Sequence, residues 1–390
     1  MKNNQIKIVK SDVVICGGGI AGCSAAIQSA RNGVKTILLE KTVFPGGLAT
    51  SGLVYIYLPI CDGYGKQIIH GLGEELLHAS IKYGPGDIPE DWRSPEPKVM
   101  NQRFFTKFSP SSFILSLDEL LEEAGVDVWY DTLLCSAQTD DNLQIKSVEV
   151  ENKSGRIRIE AKCFIDATGD ADLAVKSGAE TFDSTNLLSI WAIEYDKHAP
   201  EDWHKLAPEL GRIVINQKDS KAEEYRGISG SSVSRFIKET RTMVRQRYQT
   251  ALKDGANRNV LFPLLLPSMA DFRTTRFIKG KTVLNSSTQE LSFDDSIGII
   301  ADWRKPSPTI ELPYSILLPE KVRGLLAAGR CISIKGESVE LVRVIPVAAM
   351  TGQVAGLAAA LSVKKDCMPD ELPVEELQKE LKAQGFILHR

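Results

Sequence analysis

Short apolar runs alternate with turns and helical patterns at the start of this 390-residue chain. Residues 13–16 form an apolar run, and small and apolar residues at helical spacing follow as far as Arg31. Asn32 and Gly33 are typical of a helix end, and residues 36–39 form a second apolar run. This order of strand, helix and strand predicts a βαβ unit built on a parallel sheet.

The same patterns predict further elements along the chain. Strand candidates follow at residues 126–130, 133–137, 145–151 and 156–161, and another apolar strand runs into Ala167. Polar turns separate the 133–137, 145–151 and 156–161 candidates, which predicts a small antiparallel meander. The helix candidates are residues 68–82, 113–124, 235–253 and 374–384, and a long helix rich in small residues that begins near Pro346.

The polar character of the middle of the chain indicates an insertion. We predict an α/β fold, with a Rossmann-like nucleotide-binding domain, a parallel central sheet, a small antiparallel β-meander and an inserted α+β substrate domain. The expected boundaries are 1–180 for the first part of the nucleotide domain, 181–310 for the insertion, 311–366 for the second part and 367–390 for a C-terminal helix. A proline-rich stretch from Pro85 to Pro110 is expected to form a lid or surface excursion.

Composition narrows the class of protein. The chain is 43% hydrophobic and 25% charged with a net charge of −3, so it has no basic field for nucleic acid or an anionic membrane. We interpret the basic residues of 235–253 as a solvated helix face. The seven cysteines form no C-x-x-C pair, which favours a reducing cytoplasm, and the five histidines show no ligand spacing, so no metal site is expected.

Glycines after the first strand carry the most specific chemical signal. Gly17 permits a tight turn, Gly19 lets the backbone approach a pyrophosphate, and Gly22 allows the helix to pack closely on the strand. The helix start supplies free N–H groups and a dipole for phosphate charge. Glu40 follows the second strand, where a carboxylate accepts hydrogen bonds from ribose hydroxyls. These features together predict a dinucleotide site.

Four motifs in order resemble FAD-dependent oxidoreductases with a glutathione-reductase-like FAD domain, the type with two dinucleotide-binding domains. That group is related to fumarate reductase flavoproteins and heterodisulfide-reductase-like proteins. The resemblance covers nearly the whole chain and is weakest in the insertion. The matching residues are Gly17–Gly22 with Glu40, Gly46–Thr50, Asp166–Asp172, and Ala328–Ser333 with Arg343–Gly356.

The resemblance implies FAD as the cofactor and a role for each motif. The glycine turn would hold the pyrophosphate, Glu40 the ribose, the backbone of Leu134 the adenine edge, and the helix near Pro346 would face the flavin N1–C2=O edge. The implied cofactor-binding residues are Gly17, Gly19, Ile20, Ala21, Gly22, Glu40, Lys41, Gly47, Leu48, Ala49, Thr50, Leu134, Ala167, Thr168, Gly169, Asp172, Gly329, Arg330, Val344 and Ile345.

The predicted reaction is hydride transfer between a small, carboxylate-bearing substrate and flavin N5. One dinucleotide fingerprint predicts no built-in NAD(P)H domain, so the partners are a small-molecule substrate and an unidentified electron acceptor or donor. Arg273 and Arg276 are candidates to bind the carboxylate or to form a structural salt bridge, and Tyr314 and Lys335 are candidates for proton transfer. The sequence Lys335-Gly336-Glu337 stands where relatives often have Thr-His-Glu, so the chemistry at this place is expected to differ.

Two alternatives to a flavin oxidoreductase stay open at this point. One is a flavin-binding scaffold or sensor without turnover, and the other is an NAD-dependent dehydrogenase. Cys61 is either redox-active or a small buried side chain. The sequence does not decide the substrate, the reaction direction, covalent attachment of FAD or whether the chain forms a homo-oligomer.

Overall fold

The computed structural model describes residues 6–88, 105–198, 205–216 and 225–390, so most of the expected proline-rich lid lies outside the described residues. The strands are β1 (Lys7–Lys10), β2 (Val13–Cys16), β3 (Thr36–Leu39), β4 (Ile56–Tyr57), β5 (Thr106–Lys107), β6 (Asp127–Trp129), β7 (Leu133–Thr139), β8 (Ile145–Asn152), β9 (Gly155–Glu160), β10 (Cys163–Asp166), β11 (Thr181–Asp183), β12 (Ser189–Asp196), β13 (Leu210–Asn216), β14 (Leu261–Leu265), β15 (Arg276–Ile278), β16 (Ser296–Ile300), β17 (Ile310–Pro313) and β18 (Leu325–Ala327). The α-helices are α1 (Ile20–Arg31), α2 (Leu72–Ile81), α3 (Pro110–Ala124), α4 (Asp172–Lys176), α5 (Gly230–Lys253), α6 (Val339–Val342), α7 (Ile345–Lys365) and α8 (Val374–Ala383).

The central sheet contains five parallel strands in the order β18-β10-β2-β3-β6. β2 lies in the middle, α1 leads from it to β3 on one side, and the later strands β10 and β18 lie on its other side. This is the order of a doubly wound sheet, in which ligands bind at the carboxyl ends of the strands where the order reverses. The predicted Rossmann-like α/β class is confirmed.

The two faces of the central sheet enter different cores because successive strand residues point to opposite faces. Val13 and Ile15 pack in the core that contains α1 and α7. Val14 and Cys16 pack instead with residues of β8 and β9. β7, β8 and β9 form the predicted antiparallel meander, which β1 extends by pairing parallel to β9. The sheet is thus covered by helices on one side and by the meander on the other.

Helices α1 and α7 pack at unusually short range because both are rich in small residues. A Cβ added at Gly352 would lie 2.2 Å from the carbonyl oxygen of Ala21, and one added at Gly356 would lie 2.3 Å from that of Ala25. α7 is long and apolar enough to cross a membrane, but 83% of its most apolar window is buried inside the protein. The helix is therefore the predicted buried core helix, and its close packing fixes the position of its amino end.

The insertion is built from antiparallel sheets and one long helix. β12 pairs with β13 and β14, β11 pairs with β15, and α5 covers one face of the three-stranded sheet. The predicted basic helix begins at Gly230 rather than residue 235, because Ser229 caps it by accepting a hydrogen bond from the Ser232 amide. The described part of residues 181–310 therefore has α+β character.

One predicted helix is shorter than its pattern. The apolar spacing from residue 68 suggested a helix to 82, but α2 begins at Leu72. The backbone N–H groups of Ile68 and Ile69 both donate to the carbonyl oxygen of Ile60, so these residues belong to a turn. A nonlocal contact of this kind is not visible in the local pattern.

Candidate active site

The amino end of α1 borders a cleft at the carboxyl edge of the central sheet. No side chain caps the helix at Gly19, and its first turn contains no acidic residue. Apart from its chain neighbours, no described residue has an atom within 4 Å of the place that a Cβ at Gly19 would take. A Cβ at Gly22, in contrast, would lie 1.8 Å from the Gly17 carbonyl oxygen. Open space, uncapped N–H donors and a positive helix dipole suit a pyrophosphate.

Glu40 forms one end of the cleft, immediately after β3, and is only 7% exposed. Its Oε2 accepts a hydrogen bond from the Gly18 amide at 2.7 Å, and its Oε1 accepts from the Thr42 amide at 2.7 Å and from the Thr42 hydroxyl at 2.8 Å. These contacts fix the carboxylate and leave it acceptor capacity for ribose hydroxyls. Leu134 lines the same end of the cleft.

The glycine-rich loop after β3 contacts the first glycine turn backbone to backbone. The Gly46 amide donates to the Gly18 carbonyl oxygen at 2.7 Å, and Gly46 has a φ of 100°. A Cβ at Gly47 would lie 3.0 Å from the Cα of Gly19. The two loops therefore form a continuous wall of main chain beside the cleft.

Asp166, at the end of β10, holds a third loop against the cleft. Its Oδ1 accepts from the Thr168 amide and hydroxyl at 3.0 and 2.7 Å, and its Oδ2 accepts from the Ala174 amide at 2.8 Å. Burial of the carboxyl raises the pKa of Asp166 to about 6. The carboxyl thus fixes the Ala167–Gly169 turn through two hydrogen bonds from Thr168 and holds α4 through a third.

Arg330 links that turn to the insertion. Its guanidinium donates to Asp170 Oδ1 and to the Phe272 carbonyl oxygen, both at 2.8 Å. A Cβ at Gly169 would lie 2.9 Å from Arg330 Nη2, so the arginine packs flat on a glycine. The carboxylate of Asp170 balances this charge, and the pair ties the insertion to the cleft.

The structure brings together nearly all the residues predicted to contact the cofactor. The cleft is lined by Gly17, Gly19, Ile20, Ala21, Glu40, Lys41, Gly47, Leu48, Ala49, Leu134, Ala167, Thr168, Gly169, Asp172, Gly329, Arg330, Val344 and Ile345. Gly22 and Thr50 are not part of that lining. Gly22 is packed under Gly17, and the Thr50 hydroxyl donates to the Pro45 carbonyl oxygen at 2.6 Å.

The far end of the cleft meets a second cavity of about 920 Å³ between the nucleotide domain and the insertion. The residues that line both cavities are Leu48, Ala49, Arg330, Arg343, Val344 and Ile345. We call these the shared residues and the larger cavity the chamber. They include Val344 and Ile345 at the amino end of α7, so that helix begins where the two cavities join.

Most of the chamber wall is apolar, yet it carries several cations. Aromatic walls come from Phe182, Trp191, Phe277 and Trp303, and the cationic residues on the wall are Arg212, Arg273, Arg330, Lys335 and Arg343. Only Asp183 and Glu340 provide carboxylates among the described lining residues. The chamber is therefore an apolar space with an excess of positive charge.

Arg273 projects beside Trp191 in this chamber. Its guanidinium carbon lies 5.2 Å from the Trp191 ring centroid, and that of Arg212 lies 4.0 Å from the same centroid. Arg273 forms no salt bridge with any described residue. Burial, together with the positive charge of Arg343, lowers the pKa of Arg273 to about 10.

Asp271 lies just behind the chamber wall and is 2% exposed. Its Oδ2 accepts from the Trp191 amide at 2.8 Å, and its Oδ1 has no hydrogen-bond partner among the described residues. Burial raises the pKa of Asp271 to about 7. The Trp191 indole N–H and the Ser189 hydroxyl are also buried without a partner in the described part of the chain. The back of the chamber therefore holds polar groups that its own side chains do not satisfy.

The four predicted catalytic side chains are not brought together. Lys335 lines the chamber, with its Nζ 3.4 Å from the Phe182 ring centroid, and Arg273 lies on the same cavity. Tyr314 lies on neither cavity, because its ring is in the core and its hydroxyl donates to the Pro369 carbonyl oxygen at 3.0 Å. Burial raises the pKa of Tyr314 well above its ordinary value.

Arg276 is also away from the chamber wall. Its guanidinium pairs with the carboxylate of Asp172, and its Nε donates to the Asp170 carbonyl oxygen at 2.9 Å. The structural salt bridge that the sequence left open is the one observed. Cys61 is likewise a buried side chain, 2% exposed, in the main core.

Sequence reasoning did not identify Trp191, Arg212, Arg343 or Asp271 as site residues. They lie on β12, on β13, after α6 and before β15, which are distant in the chain. Arg343 did stand inside a recognised motif, next to Val344, and that position was the one available signal. The other three lie in the insertion, where no motif marks them.

Comparison with known proteins places this site in a family. The family model for FAD dependent oxidoreductases matches residues 12–185 and 214–381. A digeranylgeranylglycerophospholipid reductase from Picrophilus torridus is 29% identical over 163 residues, which are 41% of this chain and 40% of that protein. A thioredoxin reductase from Ureaplasma parvum is 35% identical over 100 residues, 25% of this chain and 32% of that protein. The chain thus spans less than half the length of either relative.

A solved structure shows the same fold over nearly the entire chain. The geranylgeranyl bacteriochlorophyll reductase-like protein from Thermoplasma acidophilum aligns with a TM-score of 0.53 and 13% identity, covering 97% of this chain and 84% of that one. The cleft, with its uncapped helix and open Gly19, fits the phosphates of FAD. Because the family model matches most of the sequence, the protein belongs to the FAD dependent oxidoreductase family and is an enzyme with FAD as its cofactor.

Proposed function

We propose that this enzyme transfers a hydride between flavin N5 and a substrate that combines an apolar body with a carboxylate or other acidic group. FAD, when bound, supplies the two-electron chemistry at its ring. The cofactor-binding residues are those that line the cleft, with the adenosine at Glu40 and Leu134 and the ring at the shared residues. The chamber beyond them is the substrate site.

The size of the chamber and the chemistry of its wall support a substrate with an apolar body. A cavity of about 920 Å³ is at the upper end of the range for small-molecule sites, so the substrate is larger than the sequence suggested. Four aromatic side chains and several aliphatic ones line it. The name of the Picrophilus torridus relative describes a substrate with long apolar chains and a phosphate, which is a similar combination.

The position of Arg273 is the observation that supports an acidic group on the substrate. Arg273 is half-buried and forms no salt bridge with any described residue, so its charge is costly there and a bound anion would reduce that cost. Arg212 and Arg343 add positive charge around it, since both lower the pKa of Arg273. An arginine fork binds a carboxylate with two parallel hydrogen bonds.

Lys335 is the proton-transfer candidate in this scheme. When a hydride leaves a C–H bond next to an O–H or N–H group, the accompanying proton needs an acceptor, and reduction needs a donor. Lys335 lies on the chamber wall, whereas Tyr314 does not, so Tyr314 is withdrawn from this role. The exposed side chain of Lys335 lets the proton exchange with solvent.

We also propose that the second electron partner is a separate molecule in the cytoplasm. A nucleotide domain for NAD(P)H needs a parallel sheet with crossover helices. The strand pairs in the described part of the insertion are antiparallel, which supports a scheme in which substrate and partner use the same flavin in turn.

A matched pair of probes tests the acidic group. We expect 3-phenylpropanoate to shift the absorbance of bound FAD and quench the tryptophan fluorescence, and the neutral 3-phenylpropanamide to bind at least tenfold more weakly. Arg273→Met should abolish this preference, because the charge that distinguishes the probes is removed.

Arg276→Met is the control for charge removal. It lies in the same segment but off the chamber wall, so it should keep the preference for the anion while losing stability through its pair with Asp172. Equal affinities for both probes in the unmodified enzyme, or an unchanged preference in Arg273→Met, would contradict the proposal.

A further inference from the structure

Arg343 stands at the junction of the two cavities. It follows α6, precedes Val344 at the start of α7, and is one of the two cations among the shared residues. The other cation, Arg330, has its charge balanced by Asp170 and its geometry fixed by the Phe272 carbonyl oxygen. Arg343 is thus the shared cation that is not committed to the cleft loops.

Glu340 holds the Arg343 guanidinium from one side. Arg343 Nε donates to Glu340 Oε1 at 2.9 Å, and Nη2 donates to Oε2. Nη1 makes no hydrogen bond to any described residue. The Arg343 side chain is 19% exposed and that of Glu340 is 38% exposed, so the arginine is the more enclosed member of the pair. Trp303 fixes this short helix by donating its indole N–H to the Glu340 carbonyl oxygen at 3.0 Å.

The amino end of α7 adds positive potential at the same place. The helix has 21 residues, no side-chain cap at Val344 and no acidic residue in its first turn. Its dipole is equivalent to roughly half a positive charge at this end. The Arg343 guanidinium, reaching the same junction, adds a full charge, and Glu340 offsets part of it.

A second observation shows that the Arg343 charge acts across the chamber. The positive charge of Arg343 is the largest electrostatic contribution, after burial, to the lowered pKa of Arg273, while Glu340 acts in the opposite direction. The two side chains therefore already exert opposed effects on one ionisable group near the junction. A group at the junction that gains negative charge would be stabilised by Arg343 and destabilised by Glu340.

We propose that Arg343 and Glu340 form an opposed pair that sets the reduction potential of the bound FAD. Hydride reduction of FAD adds two electrons and one proton and leaves one extra negative charge. Arg343 stabilises that charge and raises the potential, and Glu340 opposes it and keeps the potential lower. The inference rests on the placement of the flavin ring at the shared residues that the proposed function uses, but it does not depend on the substrate.

The test measures the potential of purified, FAD-loaded protein by equilibration with a redox dye, without substrate. Arg343→Met should favour the oxidised form about tenfold, which lowers the two-electron potential by about 30 mV. Glu340→Gln should shift the potential in the opposite direction, and Arg343→Lys should restore most of the loss. Sulfite, whose addition also places negative charge on the flavin, should bind about tenfold more weakly to Arg343→Met and more tightly to Glu340→Gln.

Arg212→Met is the matched control, because it removes the same charge from the chamber wall but not from the cleft. Its potential and sulfite affinity should stay near those of the unmodified enzyme. Unchanged potentials in Arg343→Met and Glu340→Gln, or shifts of the same sign in both, would overturn the inference. If Arg343→Met does not fold, Glu340→Gln decides: a raised potential and tighter sulfite binding support the inference, and an unchanged or lowered potential overturns it. Failure of the carboxylate probes alone would leave this result intact.

Discussion

The cofactor cleft and the chamber differ in the part of the protein that lines them. The walls of the cleft are largely main chain: the glycine turn at Gly19, the loop at Gly47 and the turn at Gly169. A backbone hydrogen bond joins the first two, and the Asp166 carboxyl holds the third. The chamber is walled by side chains such as Trp191 and Arg273, which come from the insertion. The first surface recognises a constant cofactor, and the second can change its substrate by changing side chains.

That difference also explains what the sequence could predict. Backbone loops that approach a ligand need glycine at particular spacings, so Gly17, Gly19 and Glu40 were identified from a local pattern. The antiparallel meander and the buried helix α7 were also predicted, because each is encoded by a local pattern of apolar, polar and small residues. The chamber depends on which residues of β12 and β13 face it, and the sequence does not specify the register of two such distant strands.

Particular errors follow from nonlocal contacts. Arg276 was a candidate because an arginine fork suits a carboxylate, and Tyr314 was a candidate for proton transfer. Their partners, Pro369 and Asp172, lie 55 and 104 residues away in the chain. Trp191 was missed because its neighbours Arg212 and Arg273 come from other strands and loops. Only the fold brings these residues together.

We expect the largest loss of stability from a substitution that disrupts the backbone packing behind the cleft. Gly352→Val would place a branched side chain where even a Cβ lies 2.2 Å from the Ala21 carbonyl oxygen. Because backbone on α1 cannot move aside, we expect a loss of about 4 to 5 kcal/mol in the free energy of unfolding and loss of bound FAD. Urea denaturation and the flavin absorbance of purified protein measure both.

Gly230→Val provides the comparison within the insertion. Apart from its chain neighbours and its own helix backbone, no described residue has an atom within 4 Å of a Cβ at Gly230, at the start of α5. The stability of Gly230→Val should therefore change by less than about 0.5 kcal/mol, and FAD should remain bound. Similar losses in the two variants would show that α1 and α7 do not depend on their close contact.

The next largest effect is a pH dependence of stability that comes from Asp271, behind the chamber wall. Its folded pKa of about 7 is above its ordinary value of 3.8, so the protonated carboxyl favours the folded state. That contribution is complete below pH 3.8 and is lost as the pH rises through 7. Asp271→Asn keeps an acceptor for the Trp191 amide and removes the ionisation. We expect the unmodified protein to lose about 3 kcal/mol relative to this variant between pH 5 and pH 8.

Urea denaturation at the two pH values measures this difference. Asp12→Asn, in the nucleotide domain, is the control: it leaves Asp271 in place, so it should lose stability between the two pH values as the unmodified protein does. Parallel stability curves for Asp271→Asn and the unmodified protein would mean that the Asp271 carboxyl titrates normally.

Substitution of Arg273 is expected to raise the free energy of unfolding by a smaller amount. Its pKa is lowered from 12.5 to about 10, so folding penalises the charged guanidinium throughout the neutral range. Arg273→Met should therefore stabilise the ligand-free chamber by about 2 kcal/mol at pH 7, although it removes anion binding. Thermal denaturation of the FAD-loaded protein measures this gain. A destabilised variant would indicate that Arg273 has a structural role instead.

The most direct test of the central claim is a crystal structure of the enzyme with FAD and 3-phenylpropanoate. We expect the isoalloxazine ring against Leu48 and Val344, and the probe carboxylate about 3 Å from the Arg273 guanidinium nitrogens. A ring bound away from the shared residues, or a probe that leaves Arg273 without a contact, would contradict the claim that the cleft delivers the flavin to an anion-binding chamber.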